Sequence, residues 1–252
     1  MSNIGENLFS NLSNHPSLIH WVSQKNPTQA YHFSLALHTD EKPEKILQNR
    51  ATLQAKFPNM KFIVAHQTHS DNIAIIQNVE SKGWKGQESV IEDCDALISD
   101  KKGVMLTILT ADCVPILLFD PKRHIIGAVH AGWRGTEQKI VSKTIQKMQQ
   151  IFGSNPTDIL AGVAPSIGRC CYEVGEDVAQ HFFEESGAFS KKEGKFMLDL
   201  PNLNKIQLLK SGLIEKNIEM SHICTACEVD KYFSYRKEQG CSGRFMSMIG
   251  LK

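Results

Sequence analysis

Apolar positions change their period several times along the chain. Between residues 104 and 130 they run almost unbroken, as VMLTILTADCVPILLFDPKRHIIGAVH. Apolar runs on either side of DPKR predict a buried hairpin, with Pro121 suited to the second position of the turn. Earlier, YHFSLALH (31–38) alternates and predicts a strand. EKPEKILQNRATLQAKF, after Asp40, predicts a helix with Ile46, Leu47, Leu53 and Phe57 on or near one face. KFIVAHQTHSDNIAIIQNV is apolar, then polar, then apolar. That predicts two strands, or one interrupted strand, with HQTHS at the break.

Beyond the hairpin, Thr136 is positioned to cap a helix over 137–152. Ile140, Val141, Ile145, Met148, Ile151 and Phe152 form its stripe, and Gly153 stops it. DILAGVAP predicts another strand. GEDVAQHFFEE and NLNKIQLLKSG predict helices, the second closed by Gly212. The end, YFSYRKEQGCSGRFMSMIGL, predicts two short strands around a Gly/Ser turn. Strands and helices mix without regular βαβ alternation. The fold class expected is α+β with mixed sheets rather than a doubly wound fold, in a single domain over 1–252.

Composition narrows the function classes. A chain of 252 residues can bury a core that needs no disulfide staples. The net charge of +1 gives no global field to attract nucleic acid or an anionic membrane. No run approaches the roughly 20 apolar residues of a membrane span. The polar first residues lack the apolar region of a signal peptide. Seven cysteines do not space like a secreted framework, so a reduced, cytoplasmic protein is expected.

Chemistry concentrates in two places. His66 and His69 in AHQTHS would point to opposite faces of a strand, so only one can share a site with the hairpin. His69, nearer the polar break, is the candidate. Cys113 in TADC and His130 in GAVH flank the predicted turn at similar distances and meet at the open end. A thiolate with one or two imidazoles fits either a zinc centre or a Cys–His nucleophile pair, and the residues alone leave both open. Arg134, in AGWRGT just before the predicted helix, is a candidate phosphate ligand. Two further cysteine pairs read as structural. Cys170 and Cys171 are adjacent, and adjacent side chains on extended chain diverge. Cys224 and Cys227 form one CxxC, with no second closely spaced pair nearby in sequence.

The ordered set HQTHS, CDALISDKKGVMLTILTADCVPILLFD, HAGWRGT, VAPSIGRCCYEVGEDV, CTAC and YFSYRKEQGCSGR closely resembles the YfiH/YlmD family, also called the DUF152, polyphenol oxidase or laccase-domain family. The likeness covers roughly residues 33–251. It implies a mixed α/β sandwich of the CNF1/YfiH-like type. It implies zinc held by His69, Cys113 and His130, with copper a possible alternative metal. It implies a purine nucleoside enzyme that phosphorolyses adenosine, inosine and methylthioadenosine and deaminates adenosine. Nucleoside and phosphate are then its small-molecule partners. Cys113 and His130 would be catalytic, and Asp112 a candidate acid/base or orienting group. Arg134, with Arg50 or Arg244, would hold phosphate. Other members are described as copper-dependent polyphenol oxidases or peptidoglycan editing factors. The chain departs from the family pattern at WVSQKNPTQAYHFSLALH. There Lys25 stands nearest to an expected arginine, and Ala36 replaces an expected asparagine. A multicopper laccase needs paired histidines, and the chain has no His-x-His. A metal-free Cys–His hydrolase acting on an amide and a non-catalytic protein with structural zinc are the other classes. Oligomeric state is not legible.

Overall fold

A computed structural model describes residues 4–240 and 242–252. The N-terminal half contributes β1 (Gly5–Glu6), β2 (Leu18–Ser23), β3 (Lys61–Ile63), β4 (Ile73–Ile76) and β5 (Ala96–Ser99). The central hairpin region gives β6 (Val104–Thr110), β7 (Val114–Asp120) and β8 (Ile125–Ala131). Then follow β9 (Leu160–Val163), β10 (Glu173–Val174), β11 (Phe189–Lys192), β12 (Lys195–Leu198), β13 (Ile218–Met220) and β14 (Phe245–Leu251). One mixed sheet runs β1-β2-β14-β6-β3, a second β13-β9-β7-β8-β5-β4, and a small third sheet β10-β12-β11.

The two large sheets pack face to face. Leu106, Ile108, Phe245 and Ile249 of the first share one core with Leu97, Leu117, Phe119 and Ile126 of the second. Alternate residues point the other way, as a strand's period of two requires. Phe62, Met105, Leu109 and Met248 meet Leu53 of the helix Pro43–Lys56. Ile116, Leu118 and Val129 meet Ile140, Val141, Ile145 and Met148 of the helix Ile140–Phe152, and Leu203 and Leu208 of the helix Leu200–Lys210. The result is a helix–sheet–sheet–helix sandwich. Both faces of β6, β7, β8 and β14 are covered, which explains their unbroken apolar runs. No helix among the described residues is long and apolar enough to cross a membrane.

The hairpin, the Pro43–Lys56 helix, the strands either side of HQTHS, the DILAGVAP strand and the Leu200–Lys210 helix form as expected, the last followed by Gly212 at φ +97°. Four expectations are corrected. Residues 31–38 are not a strand. Tyr31, His32 and Phe33 all have positive φ. The carbonyls here are satisfied from the neighbouring helix: Asn49 Nδ2 donates to Ala30 and Ser34, and Arg50 Nε to Leu35. The strand in this region is β2, which pairs with β14. The helix over 137–152 is two helices, Trp133–Glu137 and Ile140–Phe152, broken at Lys139 with φ +61°. Gly132 caps the first, and Thr136 is buried within it, where its hydroxyl accepts from Asn204 Nδ2. GEDVAQHFFEE forms only the short helix Glu176–Ala179 and a 3-10 turn at Gln180–Phe182. At the C-terminus only the second expected strand, β14, forms. Side chains, not a ladder, take the amides before it: Asp112 accepts from Arg236 N and Glu238 from Ser234 N.

Candidate metal centre

Two of the chain's crossings between the two large sheets meet at one rim of the sandwich. The 64–72 connection leads from β3 to β4, and the 111–113 corner leads from β6 to β7. The first crossing carries His69 and the second Cys113. His130 comes from β8, where it pairs opposite Pro115 of β7, so the hairpin's open end does bring Cys113 and His130 together. One donor atom from each of His69, Cys113 and His130 lies within 4.8 Å of the others. Cys113 Sγ is 3.7 Å from His69 Nε2, and the two imidazole rings are 5.0 Å apart, edge to face. His66 is turned away and its Nδ1 meets Glu92 at 2.9 Å. The reason is not strand alternation but a loop, with His69 at φ +65°.

That loop is wrapped around a residue the sequence reading did not single out. Asp95, fully buried just before β5, accepts from the amides of Thr68, His69 and Ser70 and from the Ser70 hydroxyl. Its Oδ1 also takes His130 Nδ1 at 2.7 Å. A carboxylate on Nδ1 fixes the imidazole tautomer and leaves Nε2 free as a ligand. Burial pushes the Asp95 carboxyl up, but His130 and the Ser70 donors outweigh it and hold it at about 2. Cys113 and His130 move in opposite directions. Burial opposes charging both, yet the His130 charge and hydrogen bond pull the thiol down, and Cys113 and Asp95 push the imidazole up. Without a metal the cluster is poised as thiolate beside imidazolium; a divalent ion would take the thiolate as it stands and displace the Nε2 proton of His130.

The donor set fits zinc. Two imidazoles and one thiolate are three ligands of a tetrahedral ion, with Zn–S about 2.3 Å and Zn–N about 2.0 Å, and the fourth position is left for water or substrate. These bond lengths put sulfur and nitrogen about 3.5 Å apart, close to the spacing found. Gly132 is part of the fit. A Cβ there would lie 2.8 Å from His69 Cδ2 and 3.1 Å from Cys113 Sγ.

Of the remaining candidates, Arg134 is exposed in the first turn of its helix, not before it. Its guanidinium stacks on Trp133 at 4.3 Å and has no ion pair among the described residues. Arg244 is half-buried, gives Nη1 to the carbonyls of Ser242 and Gly243, and feels the Cys113 charge. Arg50 does not join the site. It is buried, and its guanidinium donates to the carbonyls of Leu35, Gly83 and Trp84. Nor is Asp112 placed as an acid/base. At φ +94° it turns the crossover corner, and its two oxygens accept from Thr225 Oγ1 and Arg236 N, both at 2.7 Å. Lys25 is engaged too, bonded to Glu238 and to the Val229 carbonyl.

Besides Asp95, three residues near the triad were missed. Tyr172 lies close enough for burial and then the Cys113 charge to raise its hydroxyl far above the usual range. The guanidinium of Arg236 sits 5.3 Å over the Tyr172 ring. Burial, then the charges of Arg244, His66, Arg50 and His130, hold His38 down at about 4. Tyr172 and Arg236 stand inside the quoted CCYEVG and FSYRK stretches, but nothing in the spacing places them at the triad. Cys241, in the same C-terminal motif, lies outside the described residues.

The cysteine pairs also depart from expectation. Cys170 and Cys171 sit in a turn, not on extended chain, and both reach the CxxC: one donor atom from each of Cys170, Cys171, Cys224 and Cys227 lies within 4.8 Å of the others.

Sandwich and triad together define the class: a mixed-sheet α/β protein with a candidate three-ligand metal site where the chain crosses between sheets. The chain belongs to the family described as multi-copper polyphenol oxidoreductase laccase, whose model matches residues 22–252, and its relatives carry the YfiH, YlmD and DUF152 names that the motifs pointed to. It is 33% identical over 239 residues to purine nucleoside phosphorylase YlmD of Bacillus subtilis, covering 92% of this chain and 85% of that one. It is 33% identical over 194 residues to adenosine deaminase RL5 of an unknown prokaryotic organism, covering 74% of each. The crystal structure of YlmD from Geobacillus stearothermophilus superposes with a TM-score of 0.91 at 26% identity over the whole of both chains.

Proposed function

We propose that the chain is a zinc-dependent purine nucleoside enzyme, phosphorolysing adenosine, inosine or methylthioadenosine and deaminating adenosine. The observation that carries this reading is the His69–Cys113–His130 cluster, with Arg134 following His130 in the chain and having no acidic partner among the described residues. The names of the relatives point the same way. His69, Cys113 and His130 would hold the ion, which supplies a Lewis acid when bound. Asp95 keeps the proton of His130 on Nδ1. Arg134 would present a planar pair of donors to a phosphate dianion. Arg244 adds positive charge from the opposite sheet. In phosphorolysis a phosphate oxygen bonds to ribose C1′ as the C1′–N9 bond breaks. The electron pair leaves with the purine, which takes up a proton, and the sugar product is ribose 1-phosphate. The Tyr172 hydroxyl, pushed up by burial and then by the Cys113 charge, stays protonated at neutral pH.

The test is a nucleoside screen on zinc-loaded protein with and without phosphate. Free base and ribose 1-phosphate are expected only with phosphate, and inosine from adenosine in either case. No turnover of any purine nucleoside would end this reading. One observation favours a second reading: the opposed shifts of Cys113 and His130 also suit a metal-free Cys–His nucleophile acting on an amide. Activity that survives complete metal removal would select it.

A further inference from the structure

Outside the triad, the largest concentration of metal-ligating chemistry is the four-cysteine knot, and we propose that Cys170, Cys171, Cys224 and Cys227 hold a second, structural zinc ion.

The spacing is that of a ligand tetrahedron. Cys227 Sγ lies 3.6 Å from Cys170 Sγ and 3.5 Å from Cys171 Sγ, and all four sulfurs fall within 4.8 Å of one another. A zinc ion with Zn–S of about 2.3 Å places its sulfurs about 3.8 Å apart. A disulfide needs about 2.05 Å, and none of these contacts approaches it. Four thiolates close the coordination sphere, and closed all-sulfur sites hold structure rather than bind substrate.

The backbone is shaped for this. Residues 168–172 form a tight turn in which the amides of Cys171 and Tyr172 both donate to the Gly168 carbonyl. The turn lets two adjacent cysteines face the same point. The Gly168 amide donates to Cys224 Sγ at 3.3 Å, a bond that favours the thiolate. Gly168 also keeps the knot open: a Cβ there would lie 3.2 Å from Cys224 Cβ and 3.3 Å from Cys170 Sγ. A parallel bridge between Ser166 and Cys224 clamps the two segments, with Ser166 N donating to Ile223 and Thr225 N to Ser166.

The knot also has a position that matters. Cys171 precedes Tyr172, beside the triad. Cys224 precedes Thr225, whose hydroxyl bonds Asp112 at the corner that carries Cys113. A zinc ion in the knot would therefore fasten two loops, some 50 residues apart in sequence, to the wall of the first site.

The test counts and characterises zinc in protein purified under reducing conditions with zinc supplied. Cys224→Ser combined with Cys227→Ser should lower the zinc content by one equivalent per chain. If the triad holds no zinc, the count falls from one to none rather than from two to one, so the two sites fail separately. In Cys113→Ala, which spares the knot, zinc-edge X-ray absorption should show four sulfur neighbours at about 2.3 Å. This measurement does not depend on the double variant folding. An unchanged zinc content in a folded double variant would overturn the proposal. So would nitrogen or oxygen neighbours in Cys113→Ala, or alkylation mapping that finds the four cysteines paired as disulfides in the zinc-supplied protein.

Discussion

Asp95→Asn changes one atom of a buried side chain and should damage the triad without touching a ligand. The carboxylate is acceptor-only, and every group aimed at it is a donor. Oδ1 takes His69 N and His130 Nδ1, and Oδ2 takes Ser70 N, Ser70 Oγ and Thr68 N. An amide must present its NH2 to one of these sets. Facing Oδ2's partners, it turns an NH2 on two part-buried amide donors, Thr68 N and Ser70 N, and leaves both unpaired, at about 1 kcal/mol each. Facing His130, it forces the proton from Nδ1 to Nε2, which removes the lone pair a metal needs. The second outcome is less costly for the fold and worse for the site. Loss of such an orienting partner typically costs about 10–100-fold in metal affinity. Folding suffers as well. A carboxyl held at about 2 instead of 3.8 stabilises the native state by about 2 kcal/mol at neutral pH. That contribution is complete above about pH 4 and is lost as pH falls toward 2, because a depressed folded pKa favours the native state only while the group is ionised. A melting temperature about 5–10 °C lower is expected near neutrality, with the gap narrowing in acid. The assay is protection of Cys113 from iodoacetamide against free zinc, read on the Cys113 peptide by mass spectrometry. A protection midpoint and melting temperature equal to the parent's would refute the orienting role.

Further predictions follow from the same geometry. Zinc-free protein should alkylate at Cys113 with a half-point near pH 6, well below an ordinary thiol, and zinc should block the reaction; rapid alkylation of the zinc-loaded form would favour the nucleophile reading. Gly132→Ala should lower zinc affinity about tenfold or more while leaving the fold intact, since its Cβ displaces both His69 and Cys113; unchanged affinity on titration would show that these ligands have slack. Arg134→Ala should raise the KM for phosphate with zinc content unchanged, whereas Arg50→Met should cost about 3 kcal/mol in urea unfolding by orphaning three buried carbonyls. The reverse pattern, with Arg50→Met affecting KM and not stability, would return Arg50 to the phosphate site.

How far the sequence could be read depended on whether the information was local. The β7–β8 hairpin announces itself because both strands are buried on both faces and a proline turn joins them, and that register alone brings Cys113 to His130. Helix stops were legible for the same reason, as Gly153 and Gly212 end their helices with positive φ, and so were the stripes apart from Ile151, which lies half exposed where the last turn of its helix leaves the sheet. The broken helix at Lys139 was not, because a left-handed lysine leaves no mark in the apolar period. Residues 31–38 misled because alternation signals a strand only if a partner strand exists. Here the polar side chains Asn49 and Arg50 take the carbonyls instead.

The site's supporting residues were invisible for a related cause: each works through a contact that only the fold creates. Asp95 is 26 residues from His69 and 35 from His130, so no motif window contains the three. Its burial with a full set of donors is the physical fact that matters, and a buried carboxylate is stable only when so surrounded. Asp112 shows the converse. Adjacent to a ligand, it invites a chemical role, yet its left-handed backbone turns the side chain toward Thr225 and Arg236, away from Cys113's partners. The cysteines make the argument sharpest. Two pairs, each uninformative alone and more than 50 residues apart, meet because a parallel bridge at Ser166–Cys224 sets one turn against the other. Spacing rules for metal sites presume ligands delivered by short loops of one hairpin. Here the sheet order β13-β9 performs that delivery, so topology had to be known before the ligand count could be made.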